Sequence, residues 1–135
     1  MRSAQDLWEP SSYVLSKTAL LLIDYKKAHI DRIEDPKKRD RVVISTKKLL
    51  ETARENNIAI VHCLMDTITF HRNPGYKSIL VTEGILPLLR EKLGVEYLGI
   101  SGITTSGPVL SNAMHATDLD FVVTVVEEAT WDPNE

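Results

Sequence analysis

This sequence is short of thiols: Cys63 is the only cysteine among 135 residues. That excludes a disulfide framework within the chain. It also lacks any apolar run near the ~20 residues that span a bilayer. The opening stretch, MRSAQDLWEPSS, has no apolar signal-peptide core, so cytoplasm is the expected location. Charge of one sign is not in excess. The net charge is −3, which gives no electrostatic case for nucleic acid or an acidic membrane as partner. The basic cluster Lys37, Lys38, Arg39, Arg41 is balanced by Glu34, Asp35 and Asp40 and reads as a solvated helix start. No internal repeat and no low-complexity linker divides the chain. Its length suits one domain over 1–135 with one sizeable core.

What is present is an alternation. Thr18–Asp24 (TALLLID) is a short apolar run ending in a carboxylate, the pattern of a buried strand. From Arg41 to Arg54, Val42, Thr46, Leu49, Leu50 and Ala53 recur at helical spacing. Ile58–Cys63 is a second buried strand. Glu83–Leu93 reads as a helix with Gly94 just past its end. Glu96–Ser101 is a third strand, Pro108–Ala116 a helix, and Asp120–Val126 a fourth strand. Strands alternating with helices predict an α/β fold, a Rossmann-like three-layer sandwich around a parallel sheet with right-handed crossovers. Ligands in such folds bind beyond the carboxyl ends of the strands. That rule selects Asp24, the loop after Cys63 and the Gly102–Pro108 turn.

The turn, GITTSGPVLSNAM (102–114), has the shape of a site but carries proline where the helix begins. Proline is favoured at a first helical position, since the N–H it lacks would be unbonded there anyway. Ser106 and Gly107 suit the cap before it. Amides from Val109 onward are expected to be open at the positive end of the helix, a possible anion or oxyanion site. A plain helix start fits the same residues.

Over nearly its whole length the chain resembles the isochorismatase-like cysteine hydrolase superfamily, in a branch common in fungi. The resemblance rests on TALLLIDYKKAHI, on LLETARENNIAIVHCLMDT, and on the run from FHRNPGYKSILV through GISGITTSGPVLSNAM to VVTVVEEAT, matched in that order. Members use an aspartate, a lysine and a cysteine, with backbone N–H groups as oxyanion hole; a minority cleave a vinyl ether without the cysteine. The resemblance places the aspartate at Asp24 and the cysteine position at Pro108. The lysine falls at Arg72–Asn73, with Lys77 a poorer match. Arg72 supplies charge but no proton at neutral pH. The resemblance also implies a shortened pocket loop between Asp66 and Phe70 and a shortened C-terminal end. One sheet edge and some apolar surface are then left for a partner subunit, so a homo-oligomer is expected.

Other residues carry two readings each. Asp24 is a general acid or base, or a cap or ion-pair partner, with Lys26 as the neighbour that pairs with it or faces solvent. His62 faces the pocket or sits in the core. His71 is a weak proton-shuttle candidate; His29 and His115 read as surface groups. Cys63 reads as a buried strand thiol. Thr104, Thr105 and Ser106 orient a ligand or cap the helix; Ser106 as a nucleophile needs a base that the sequence does not place beside it. Trp8, Tyr25, Tyr76 and Trp131 line a pocket or a subunit contact. The Asp-x-His spacing of zinc-binding relatives is missing, so neither metal nor cofactor is expected.

Three functions follow. One is an isochorismatase-like enzyme without thiol chemistry, in which Asp24 acts on a small anionic, carbonyl or vinyl-ether substrate held by Thr104, Thr105, Ser106, Gly107, Val109 and His62, with Arg72 or Asn73 nearby. The second is an inactive relative that binds a small molecule or a protein. The third is a structural subunit of an oligomer.

Overall fold

The computed structural model describes residues 13–64 and 78–135. Four strands form one sheet: β1 (Thr18–Ile23), β2 (Ala59–Cys63), β3 (Tyr97–Gly102) and β4 (Val122–Val125). Their order is β2-β1-β3-β4 and every pair is parallel. The expected α/β class and parallel sheet are what the chain adopts.

The strands form where apolar residues are continuous, because the central strands β1 and β3 are buried on both faces. Ala19, Leu21 and Ile23 point to one face, with Leu98, Ile100, Val109, Ala116 and Phe121. Leu20 and Leu22 point to the other, against Ala53 and the half-buried Leu49 and Leu50. The period of two along β1 thus serves both outer layers.

Helix α1 (Lys27–Ile30) is a single turn after β1. Helix α2 (Pro36–Glu55) covers the Leu20 face. It begins five residues before the apolar period that predicts it. Pro36 supplies a first-turn proline, and the Asp35 carboxylate accepts the Lys37 N–H at 2.8 Å. On the opposite face, α3 (Ile85–Pro87) runs directly into a wider π-type segment, Leu88–Lys92. Gly94 follows with φ of 62°, the left-handed stop expected there. Helix α4 (Leu110–Asp118) begins two residues later than Pro108, because residues 105–109 form a wider turn broken at Gly107.

A third apolar cluster lies at the carboxyl ends of the strands. Ile33, Val42, Ile103 and Trp131 pack there with Tyr25 and Ile30. Trp131 pairs with Ile103 in a parallel bridge, so the chain beyond β4 returns to extend the end of β3. Among the described residues no helix is long and apolar enough to cross a membrane.

Candidate functional site at the strand ends

Asp24 closes β1 and is 1% exposed. Its φ is 54°, a left-handed conformation that aspartate adopts more readily than most residues but at some cost. This kink ends the strand. The Asp24 N–H bonds to the Cys63 carbonyl at 2.8 Å, and the Ile103 N–H bonds to the Ile23 carbonyl at 3.1 Å. The ends of β2, β1 and β3 are thereby laced together, with Asp24 between the other two. Asp24 and the start of the Gly102–Pro108 turn thus lie on neighbouring strands, while the loop after Cys63, including the segment between Asp66 and Phe70, falls outside the described residues.

The approach of β3 to β1 is close. A Cβ on Gly102 would lie 2.3 Å from the Ile23 carbonyl oxygen and 2.7 Å from its Cβ, so only glycine fits. Past Gly102 the chain runs through Ile103 and Thr104, joined by a cis peptide bond, into the turn. Val109 is buried, Pro108, Thr104 and Thr105 are half-buried, and Ser106 is exposed.

The amides of this turn are not open in the way the sequence suggests. Thr105 N–H donates to the Trp131 carbonyl at 3.1 Å. Gly107 and Val109 N–H both reach the Thr104 carbonyl, at 3.4 and 3.3 Å. Ser106 N–H donates to Oδ2 of Asp132 at 2.8 Å, and its hydroxyl donates to the same oxygen at 2.5 Å. Asp132 is 5% exposed, and the Ser106 bonds hold its carboxyl down to about 2. A carboxylate of the chain itself therefore occupies the positive end of the turn. The cap comes from 26 residues away, not from Ser106 or Gly107.

Asp132 is the residue that reading the sequence missed. WDPN has the look of a turn, and Asp132 Oδ1 does accept the Asn134 N–H at 3.2 Å. Its bond to Ser106 has no signal in the chain order.

Other expectations move as well. His62 does not sit in the core; it is the exposed penultimate residue of β2, at the edge of the sheet formed by the described residues. Cys63 is fully buried, as expected. His29 is half-buried, with Nδ1 2.9 Å from the Asp24 carbonyl oxygen, and so belongs to the strand-end loop rather than the surface. His115 is half-buried too, with Nδ1 3.0 Å from the Ser78 hydroxyl. Tyr25 donates its hydroxyl to the Ala129 carbonyl, and burial pushes its pKa up. Trp131 is in the third cluster. Arg72 and Asn73 lie outside the described residues, as do Trp8, His71, Tyr76 and Lys77. Among the described residues, no group of three or more His, Cys, Asp or Glu side chains could hold a metal ion.

Solved structures share this architecture. An isochorismatase from Pseudomonas putida superimposes with a TM-score of 0.68 at 19% identity, over 87% of this chain and 72% of its own. The fold is isochorismatase-like. A nicotinamidase from Staphylococcus aureus gives 0.69 at 16% identity, over 88% of this chain and 86% of its own. The YcaC gene product of Escherichia coli, an octameric hydrolase of unknown specificity, gives 0.70 at 19% identity, over 88% of this chain and 66% of its own. No protein-family description matches the sequence. No curated protein matches it either.

Proposed function

We propose that this chain is a member of the isochorismatase-like hydrolase superfamily that works without a cysteine nucleophile. Asp24 is its acid or base, and a small carbonyl or vinyl-ether compound is its substrate. The observation that carries this reading is Asp24 itself: a carboxylate 1% exposed, at φ 54°, where three strand ends meet. Strained, buried polar residues at such a junction cluster at reaction sites. Pro108 stands at the turn where the resembled family carries its thiol, and it offers neither nucleophile nor N–H. A covalent thioester step is therefore absent from the proposed reaction. Asp24 would instead move a proton to or from substrate or water. Thr104 and Thr105, half-buried at the turn, carry hydroxyls that would orient a ligand there.

A second reading has its own observation. The Asp132 carboxylate and the carbonyls of Thr104 and Trp131 take up the amides of Ser106, Gly107, Val109 and Thr105. A turn so occupied favours an inactive relative that binds ligand or partner. Self-association fits either reading: Leu110, Met114 and Val125 are 50%, 61% and 40% exposed around α4 and the edge strand β4. The octameric hydrolase of similar fold gives precedent, and native mass spectrometry tests it.

The deciding experiment is an assay of wild type, Asp24→Asn, and Pro108→Cys with and without Asn73→Lys on amides, small esters and isochorismate. Wild-type turnover that vanishes in Asp24→Asn supports the cysteine-free enzyme. Silence in the wild type and in the Pro108→Cys, Asn73→Lys double variant overturns it in favour of the second reading.

A further inference from the structure

Asn112 is a fully buried polar side chain on the inner face of α4, one turn after Pro108. Its amide group is used at both ends. Nδ2 donates to the Pro108 carbonyl at 2.8 Å. Oδ1 accepts the Ile79 N–H at 2.9 Å and the Ser78 hydroxyl at 3.3 Å. The same hydroxyl accepts the Leu80 N–H at 3.2 Å and lies 3.0 Å from His115 Nδ1. Ile79 and Leu80 are themselves buried in the core beneath α4.

Such an arrangement does more than satisfy a buried amide. The Pro108 carbonyl belongs to the last residues of an irregular turn, whose neighbour Gly107 has non-helical φ/ψ. Ser78 caps a short 3-10 turn, Ile79–Val81, that belongs to none of the four described strands. A single side chain spans the two. Asparagine is the smallest residue with an acceptor and a two-proton donor at fixed separation, which is what a carbonyl on one side and an N–H on the other require. Leaving either buried group unbonded costs more than the bond is worth when made.

We propose that Asn112 is the positioning residue of the site: it locks the Pro108 end of the turn to the Ser78–Ile79 backbone, so that both stand in a set relation to the strand ends. This rests on the reading of the 104–109 turn as the reaction or binding site, but its test does not need activity.

Pro108→Cys places a reporter thiol at the turn and leaves the carbonyl that Asn112 bonds in place, since that acceptor is backbone. The rate of alkylation by iodoacetamide is read by peptide mapping, which separates this thiol from Cys63. Amide exchange at Ile79 is read by NMR in the same proteins. Adding Asn112→Ala is expected to raise the alkylation rate about tenfold, the effect of losing roughly one buried hydrogen bond, and to strip protection from Ile79. Adding Asn112→Asp keeps an acceptor for Ile79 and removes the donor to Pro108. Ile79 then stays protected while alkylation still accelerates. Ser78→Ala removes only the long 3.3 Å hydroxyl bond to Asn112, leaves its bonds to Pro108 and Ile79 in place, and is expected to change alkylation less than about twofold. The proposal is overturned if Asn112→Asp and Asn112→Ala expose Ile79 and the thiol equally, or if alkylation follows global stability alone in all three variants. Should Asn112→Ala not fold, the Asn112→Asp and Ser78→Ala pair decides. Silence in the wild type and in the Pro108→Cys, Asn73→Lys double variant would overturn the enzymatic reading and leave this measurement untouched.

Discussion

Ser106 gives two hydrogen bonds to one oxygen. Its N–H and its hydroxyl reach Oδ2 of Asp132 at 2.8 and 2.5 Å. With Thr105 N–H on the Trp131 carbonyl at 3.1 Å, this ties the segment after β4 to the turn after β3. The helix start is therefore held in part by a distant segment, beside the Gly107 and Val109 amides that bond to the turn's own Thr104 carbonyl. Asp132→Ala should cost about 1 kcal/mol, the usual worth of an N-cap, and urea melts would report it. Ser106→Ala keeps the N–H bond and should lose less, and no further loss in the double variant beyond Asp132→Ala would mark the two as one unit.

The same pair sets an acid limit. The Asp132 carboxyl is held down to about 2 from an ordinary value of 3.8, chiefly by Ser106. A carboxyl lowered in the folded state adds stability that is complete above the ordinary value and fades as pH falls through the folded one. Melting temperature should thus drop between about pH 4 and pH 2 more steeply in wild type than in Asp132→Asn. Parallel acid limbs for the two proteins would show that the carboxyl contributes nothing here.

Gly102 should tolerate no side chain. The Ile23 carbonyl stands 2.3 Å from where a Cβ would go, and backbone cannot swing aside as a lysine tip can. Gly102→Ala is expected to destabilise by more than about 2 kcal/mol or to prevent folding, because it prises β3 from β1 at the site. Denaturant midpoints measured beside Gly99→Ala make the comparison, since a Cβ at Gly99 meets only the Leu20 side chain at 3.5 Å.

Asp24 should reveal itself by what its loss does not harm. Asparagine adopts left-handed backbone as readily as aspartate, so φ of 54° survives the change. Asp24→Asn is expected to keep or raise the melting temperature while abolishing any turnover, as residues retained for chemistry often do. A fall of several degrees would instead make the carboxylate a structural group.

Much of this was legible in the chain. TALLLI announces a buried strand, since continuous apolar residues suit a parallel strand covered on both faces; IAIVHC forms a strand too, but a partly buried one. Alternation with helices fixes the class, and the rule about strand ends leads to Asp24 and to the turn. Less legible were the helix starts. The period of α2 shows only where its apolar face begins, while Asp35 and Pro36 begin it earlier. His62 looked like core because it lies in an apolar run, yet β2 is at the edge of the sheet formed by the described residues. Nothing in a local run states strand order.

The sequence by itself determined the layers of this protein, the place of Asp24 at the end of a strand and the absence of a thiol at the turn. These depend on residue type and short-range spacing, which the chain displays directly. Only the tertiary structure decided what fills the turn. Asp132 reaches Ser106 across 26 positions, and Asn112 reaches Ile79 across 33. A hydrogen bond between distant segments is set by how strands and helices pack, and that packing has no periodicity for the sequence to carry.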